Sequence, residues 1–167
     1  MAIRILYYSF TGHTRDACQR LADSLGAELD TITAPAPRRG VWAMVVLGAR
    51  SLFGLGPEIS VPARDWAAAD LLILAAPVWA GRVALPMRQW LRQAPDLPAR
   101  IALVVSSGAP ALPEGLAAEF TAATGREAAA LLHLSQADLE NGADSEKIAS
   151  FAESCRAITA RPLAKRA

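Results

Sequence analysis

Apolar positions along this chain fall into two alternating rhythms. Near its start, Ile3-Arg4-Ile5-Leu6-Tyr7-Tyr8 is dense in branched and aromatic residues and predicts a strand. Six loop residues follow, Ser9-Phe10-Thr11-Gly12-His13-Thr14, and then apolar side chains recur at Ala17/Cys18, Leu21/Ala22 and Leu25, the spacing of one helix face. Gly26 predicts the helix stop, and Ala27–Thr33 alternates as a second strand. Asp70–Ala76 and Arg100–Val105 are continuous apolar runs, the pattern of strands covered on both faces. The first run ends at Pro77 and the second at Ser106-Ser107-Gly108-Ala109. Helices are predicted around Met87, Trp90, Leu91 and Ala94, from about Pro113 to Thr124, and from Ser145 to about Ala160. A last, shorter strand is predicted over Ala128–Leu134.

One stretch breaks the rhythm. Val41–Leu55, VWAMVVLGARSLFGL, is strongly apolar yet carries Gly48, Arg50 and Gly54. It is too short and too interrupted to span a bilayer, so no transmembrane segment is expected. It predicts a helix packed on the sheet or, alternatively, a partly exposed surface for homodimer or membrane-surface contact.

Five strands alternating with five helices predict an α/β protein with an open, five-stranded parallel sheet, helices on both faces and strand order 2-1-3-4-5. A chain of 167 residues suits one domain, expected over residues 1–160, with 161–167 as a frayed tail. Hydrophobic content of 53% with 20% charged residues fits a packed core rather than disorder. A net charge of +1 gives no footprint for nucleic acid. Cys18 and Cys155 both fall on apolar helical stripes and are expected to be buried free thiols; neither belongs to a C-x-x-C pair. With no signal peptide evident, the expected setting is cytoplasmic.

The chemistry is concentrated where strands end. The first loop joins a strand to a helix, so backbone N–H groups and the positive end of the helix dipole converge with several hydroxyls, a place to hold a phosphate. The segment has no Lys for a G-x-x-x-x-G-K-[ST] loop, and Gly12 stands alone where a dinucleotide fingerprint needs three glycines. Ser9 and Arg15 have the spacing of a phosphatase Cys–Arg loop, but a serine there supplies no thiolate. A monophosphate held by hydroxyls and backbone remains, beside the plainer possibility of a Ser/Thr-rich turn capping the helix. No carboxylate pair, Ser-His-Asp order or metal-ligand cluster supports hydrolysis. Pro77 stands where the phosphorylated Asp of a receiver domain would be.

Three loops lie at the carboxyl edge of such a sheet: Ser9–Thr14, Pro77–Arg82 and Ser106–Pro110. In the middle one, Pro77-Val78-Trp79-Ala80-Gly81-Arg82, Trp79 can lie against a flat ring or serve ordinary packing, and Gly81 permits close backbone approach. Ser106, Ser107 and Gly108 either face a ring's polar edge or simply end a strand. His13 is a phosphate donor or a solvated side chain. Arg82 reaches a ligand anion or stays a surface cation, and His133, within the last strand, is expected to be structural.

S-F-T-G-H-T after a first strand resembles the FMN-phosphate loop of the flavodoxin-like family, [ST]-x-T-G-x-T, and Pro77-Val78-Trp79-Ala80-Gly81 resembles the end of that family's third strand. The apolar stretch from Val41, followed by Gly56-Pro57-Glu58-Ile59, also resembles a branch of the family, and the likeness runs from about Ile3 to Cys155. It implies a flavodoxin-like three-layer αβα sandwich binding FMN non-covalently. Ser9, Thr11, Gly12, His13 and Thr14 would then hold the phosphate, with Pro77, Val78, Trp79, Ala80, Gly81, Ser106, Ser107 and Gly108 along the isoalloxazine. The implied function is redox: electron transfer to a partner, or NAD(P)H-dependent reduction of a small acceptor such as a quinone. A flavin-free module acting through protein–protein contact is the competing class. Two departures stand out: His13 replaces the more usual Asn, and no insertion splits the last strand, as in the short-chain form. The near-neutral charge also differs from the acidic electron carriers of the family.

Overall fold

A computed structural model describes residues 2–35 and 58–162. The Val41–Leu55 stretch, with its expected helix and homodimer surface, and residues 163–167 of the expected tail lie outside the described residues. The elements are β1 (Ile3–Tyr7), α1 (His13–Leu25), β2 (Glu28–Thr31), β3 (Leu71–Trp79), β4 (Arg82–Val83), α2 (Leu85–Arg92), β5 (Ile101–Ser107), α3 (Leu116–Thr124), β6 (Leu131–Ser135), α4 (Gln136–Asn141) and α5 (Asp144–Ala160).

Five strands pair in parallel in the order β2-β1-β3-β5-β6, with β4 attached antiparallel to the end of β3. This is the predicted α/β sandwich with its 2-1-3-4-5 order. β3 is central because both its faces are apolar: Leu71, Ile73 and Ala75 face one way, Leu72, Leu74 and Ala76 the other, and all six are fully buried. The first face packs under α1 and α5, against Cys18, Leu21, Ile148, Phe151 and Cys155. The second packs under α2 and α3, against Met87, Trp90, Leu116 and Phe120. Each side thus buries several large aliphatic or aromatic side chains, each contributing about 1.5–3 kcal/mol of transfer free energy.

Both cysteines are buried free thiols. Burial pushes the Cys155 thiol up to about 11 and that of Cys18 higher still. The clasp between α1 and α5 is polar at its rim: Arg20 pairs with Asp144 and its guanidinium donates to Ser145 Oγ at 2.7 Å. Among the described residues, no helix is long and apolar enough to cross a membrane.

Some boundaries differ from expectation, and one helix is added. β3 does not stop at Pro77 but runs to Trp79 and turns back into β4. Proline lacks an N–H, yet its carbonyl serves the hairpin by accepting from Ala84 N–H at 2.9 Å, so the strand continues through it. The last strand begins at Leu131, although Ala129 N–H already donates to Ile101 O at 2.8 Å. The short helix α4 was not foreseen; it starts on a capping box in which Ser135 Oγ accepts from Asp138 N–H and the Asp138 carboxylate accepts from Ser135 N–H. Lys147, the same Ser135 N–H and the Ser135 hydroxyl together hold the Asp138 carboxyl well below the usual carboxylate range.

Candidate functional site

Parallel strands deliver their carboxyl ends to one edge of the sheet, where three chain segments meet. The first is Tyr8–Thr14. Ser9 Oγ accepts from Gly12 N–H at 3.1 Å, closing the loop into a turn. Gly12 takes φ 104° as the residue before α1, a backbone setting that L side chains rarely adopt. A Cβ added there would lie 3.4 Å from the Arg15 guanidinium, so that cation is packed over the glycine. Helix α1 carries no side-chain cap. Its first-turn N–H groups therefore point out of the helix end, where dipole and donors favour an anion. Thr11 and His13 are exposed beside them. Asp16, the one acid of the first turn, is paired with Arg15 at 3.2 Å.

Thr14 behaves differently from its loop neighbours. Only 2% exposed, it makes a 2.9 Å hydroxyl–hydroxyl bond to Ser106, itself 9% exposed. Since Ser106 lies in β5, this contact ties the start of α1 to the third segment across the sheet. The Thr14 hydroxyl, expected at a phosphate, is engaged by Ser106 and braces the start of α1 to β5.

The second segment is a hairpin rather than a loop. Val78 pairs with Val83 and Trp79 with Arg82, leaving Ala80 and Gly81 as its two-residue turn. Both have positive φ, 49° and 77°, as the turn that suits a right-twisted hairpin requires. Trp79, half-buried, meets Tyr8 edge-on at 5.7 Å and Phe10 edge-on at 5.9 Å. Phe10 is 52% exposed. Sequence reasoning missed Tyr8 and Phe10 as partners of Trp79; the signal was an aromatic placed inside an otherwise hydroxyl-rich loop. Arg82 is engaged by Glu119, with Nε–Oε1 2.9 Å and a guanidinium N–O contact of 2.7 Å.

The third segment is the end of β5. Side chains alternate there, so Ser106 faces α1 while Ser107 faces away. The Ser107 hydroxyl lies 2.8 Å from His133 Nε2 and 3.1 Å from Ala109 O. His133, expected to be structural, thus contacts a residue at the sheet edge. Burial, reinforced by the Lys147 cation and opposed by the Asp138 carboxylate, holds its pKa below 6.5. Gly81 and Gly108 both have open space where a Cβ would stand.

The structure therefore brings all three predicted segments to one edge, joined by Thr14–Ser106 and by Trp79–Phe10. Its donor set of helix-start N–H groups, exposed hydroxyls and an aromatic wall suits a ligand with an anionic end and a flat apolar body. Among the described residues, no group of three or more His, Cys, Asp or Glu could hold a metal ion.

No protein-family model matches the chain, and no curated protein matches it in sequence. Its fold is shared by solved structures. The flavoprotein from Lactobacillus acidophilus NCFM in complex with FMN superposes with a TM-score of 0.68 at 20% identity, over 84% of this chain and 97% of that one. A flavodoxin, WrbA-like protein from Agrobacterium tumefaciens gives 0.51 at 16% identity, over 93% and 97%. An NADH:FMN oxidoreductase in its apo form gives 0.60 at 10% identity, over 99% and 92%. At these identities the likeness is one of fold, the flavodoxin-like α/β sandwich.

Proposed function

We propose that this chain is an FMN-binding, flavodoxin-like redox protein whose cofactor sits non-covalently at the carboxyl edge of the sheet. The observation that carries the proposal is the joining of an uncapped helix start to an aromatic wall: Phe10, inside the first loop, packs against Trp79 at 5.9 Å. A phosphate needs the former and an isoalloxazine the latter. The FMN complex of a protein with the same fold supports this choice among phosphate-bearing ligands.

The chain's own residues divide the work. Backbone N–H groups of His13, Thr14 and Arg15, with the exposed Thr11 hydroxyl and His13, bind the phosphate. Ser9 shapes the turn, and Thr14 locks it to β5 through Ser106. Phe10, Trp79 and the Ala80-Gly81 turn line the ring, and Ser107 and Gly108 offer polar groups to its edge. FMN would supply the electron-carrying chemistry; the protein supplies orientation, exclusion of water and the electrostatic setting.

Electron transfer or NAD(P)H-dependent reduction of a small acceptor such as a quinone follows as the function. Near-neutral charge tilts the choice to a reductase, because a net charge of +1 gives no overall attraction for a basic redox partner. The test is equilibrium dialysis of purified protein with FMN, repeated on Thr11→Val and Phe10→Ala. Weaker binding in both variants at unchanged folding supports the site. Unchanged affinity in both would remove it, and no FMN binding by the parent protein would leave the flavin-free partner module.

A further inference from the structure

The Ser107 hydroxyl stands at a fork. It has one proton to donate and two neighbours that can take it: His133 Nε2 at 2.8 Å and Ala109 O at 3.1 Å. The carbonyl can only accept. His133 can accept at Nε2 when neutral, but as an imidazolium it can only donate. Once His133 is protonated, the hydroxyl must therefore accept from the ring and give its own proton to Ala109 O. When His133 is neutral with its proton on Nδ1, the hydroxyl is drawn to Nε2 and the Ala109 carbonyl loses that donor.

The surroundings set the pH range in which this switch operates. β6 is an edge strand, and the groove beside it is lined by His133, Glu146, Lys147 and Ser150, with Glu146 and Lys147 exposed to solvent. The charged groups that act on the ring are Lys147 from α5 and Asp138 from α4, paired with each other at 2.7 Å, while Glu146 of α5 lines the same groove. Burial and Lys147 outweigh Asp138, so the imidazolium forms only below the ordinary range.

We propose that His133 is a positioning residue for the third loop: its protonation sets the direction of the Ser107 hydroxyl, fixes the Ser107–Ala109 backbone, and so couples flavin binding to pH. This inference rests on the FMN site described above. His133 itself touches no ligand in it; its influence passes through Ser107. By linkage, a fivefold change in FMN affinity between the two protonation states requires FMN to move the His133 pKa by about 0.7 unit.

The test pairs two-dimensional amide spectra of the flavin-free protein with FMN titrations, on the parent chain, His133→Gln and Ser107→Ala. In the parent, the Gly108 and Ala109 amides should titrate with the midpoint of the His133 ring, below 6.5. Those amide responses should vanish in His133→Gln, and also in Ser107→Ala, where His133 itself still titrates. FMN affinity should differ by at least about fivefold between about pH 5 and pH 8 in the parent, beyond the change seen in His133→Gln. That comparison removes every other pH dependence, which both proteins share. Amides that ignore His133, or equal pH dependence of affinity in parent and His133→Gln, would overturn the proposal. Absence of FMN binding at every pH would overturn the coupling together with the FMN site, and amides still following His133 would identify the flavin reading as the part that failed.

Discussion

Thr14 and Ser106 offer the sharpest quantitative test of how the candidate site is assembled. Their hydroxyls meet at 2.9 Å, with Thr14 2% and Ser106 9% exposed. Thr14→Val keeps the side-chain shape but strands the Ser106 hydroxyl in a place water scarcely reaches. Leaving a buried polar group unpaired costs about 1–3 kcal/mol, whereas replacing both partners by apolar groups of similar shape can be nearly neutral. Thr14→Val should therefore lower stability by about 1–2 kcal/mol and Ser106→Ala by about 1 kcal/mol. The double variant should cost less than the sum, with a coupling energy of about 1 kcal/mol. In a chain of this size each kcal/mol is about 2–4 °C in Tm, so the singles should melt visibly earlier. Urea unfolding of the four proteins, followed by far-UV circular dichroism, closes the cycle. Strict additivity to within about 0.3 kcal/mol would show that the hydroxyls do not depend on each other, and the brace between α1 and β5 would have to be abandoned.

Other perturbations probe separate parts of the structure. Asp138→Ala removes one half of the α4 capping box and the Lys147 partner, and should lower Tm in thermal unfolding; an unchanged Tm would contradict the cap. Because the Asp138 carboxyl is held low, its contribution is fully present above about pH 4 and fades only as pH falls below that; the parent–variant difference should shrink on acidification. Ala80→Asn places Asn-Gly in a turn whose φ values are 49° and 77°, and should raise stability by about 0.5–1 kcal/mol in the same assay, with a fall arguing against the hairpin. With Cys155 pushed up to about 11 and Cys18 fully buried, a thiol reagent at pH 8 should modify the folded protein far more slowly than the urea-unfolded chain. Rapid labelling of the folded state would place one thiol at the surface.

The parts of the fold legible in the sequence were those set by local pattern. Leu71–Ala76 declared a central strand because no residue in it could face water, and Cys18-Leu21-Ala22 declared the inner stripe of α1. Pro77 misled because a missing N–H resembles a stop, whereas the hairpin uses only its carbonyl. The α4 cap was written in Ser135 and Asp138 but belongs to a helix of six residues, too short to show a periodic face. Long-range contacts were not legible at all. That Thr14 would meet Ser106 depends on how α1 settles against β5, and Ser107 meets His133 only through the register that sets Val105 beside His133. The aromatic trio of Tyr8, Phe10 and Trp79 likewise needs the β1 and β3 ends brought level by their pairing.

The most direct test of the central claim is a parallel titration of the purified protein with FMN and with riboflavin, following quenching of flavin and tryptophan fluorescence. A phosphate held by the start of α1 predicts saturable FMN binding with riboflavin weaker by tenfold or more, since charged hydrogen bonds contribute about 1.5–3 kcal/mol each. Equal affinity for the two flavins, or no binding of either, would contradict an FMN-phosphate site at Ser9–Thr14.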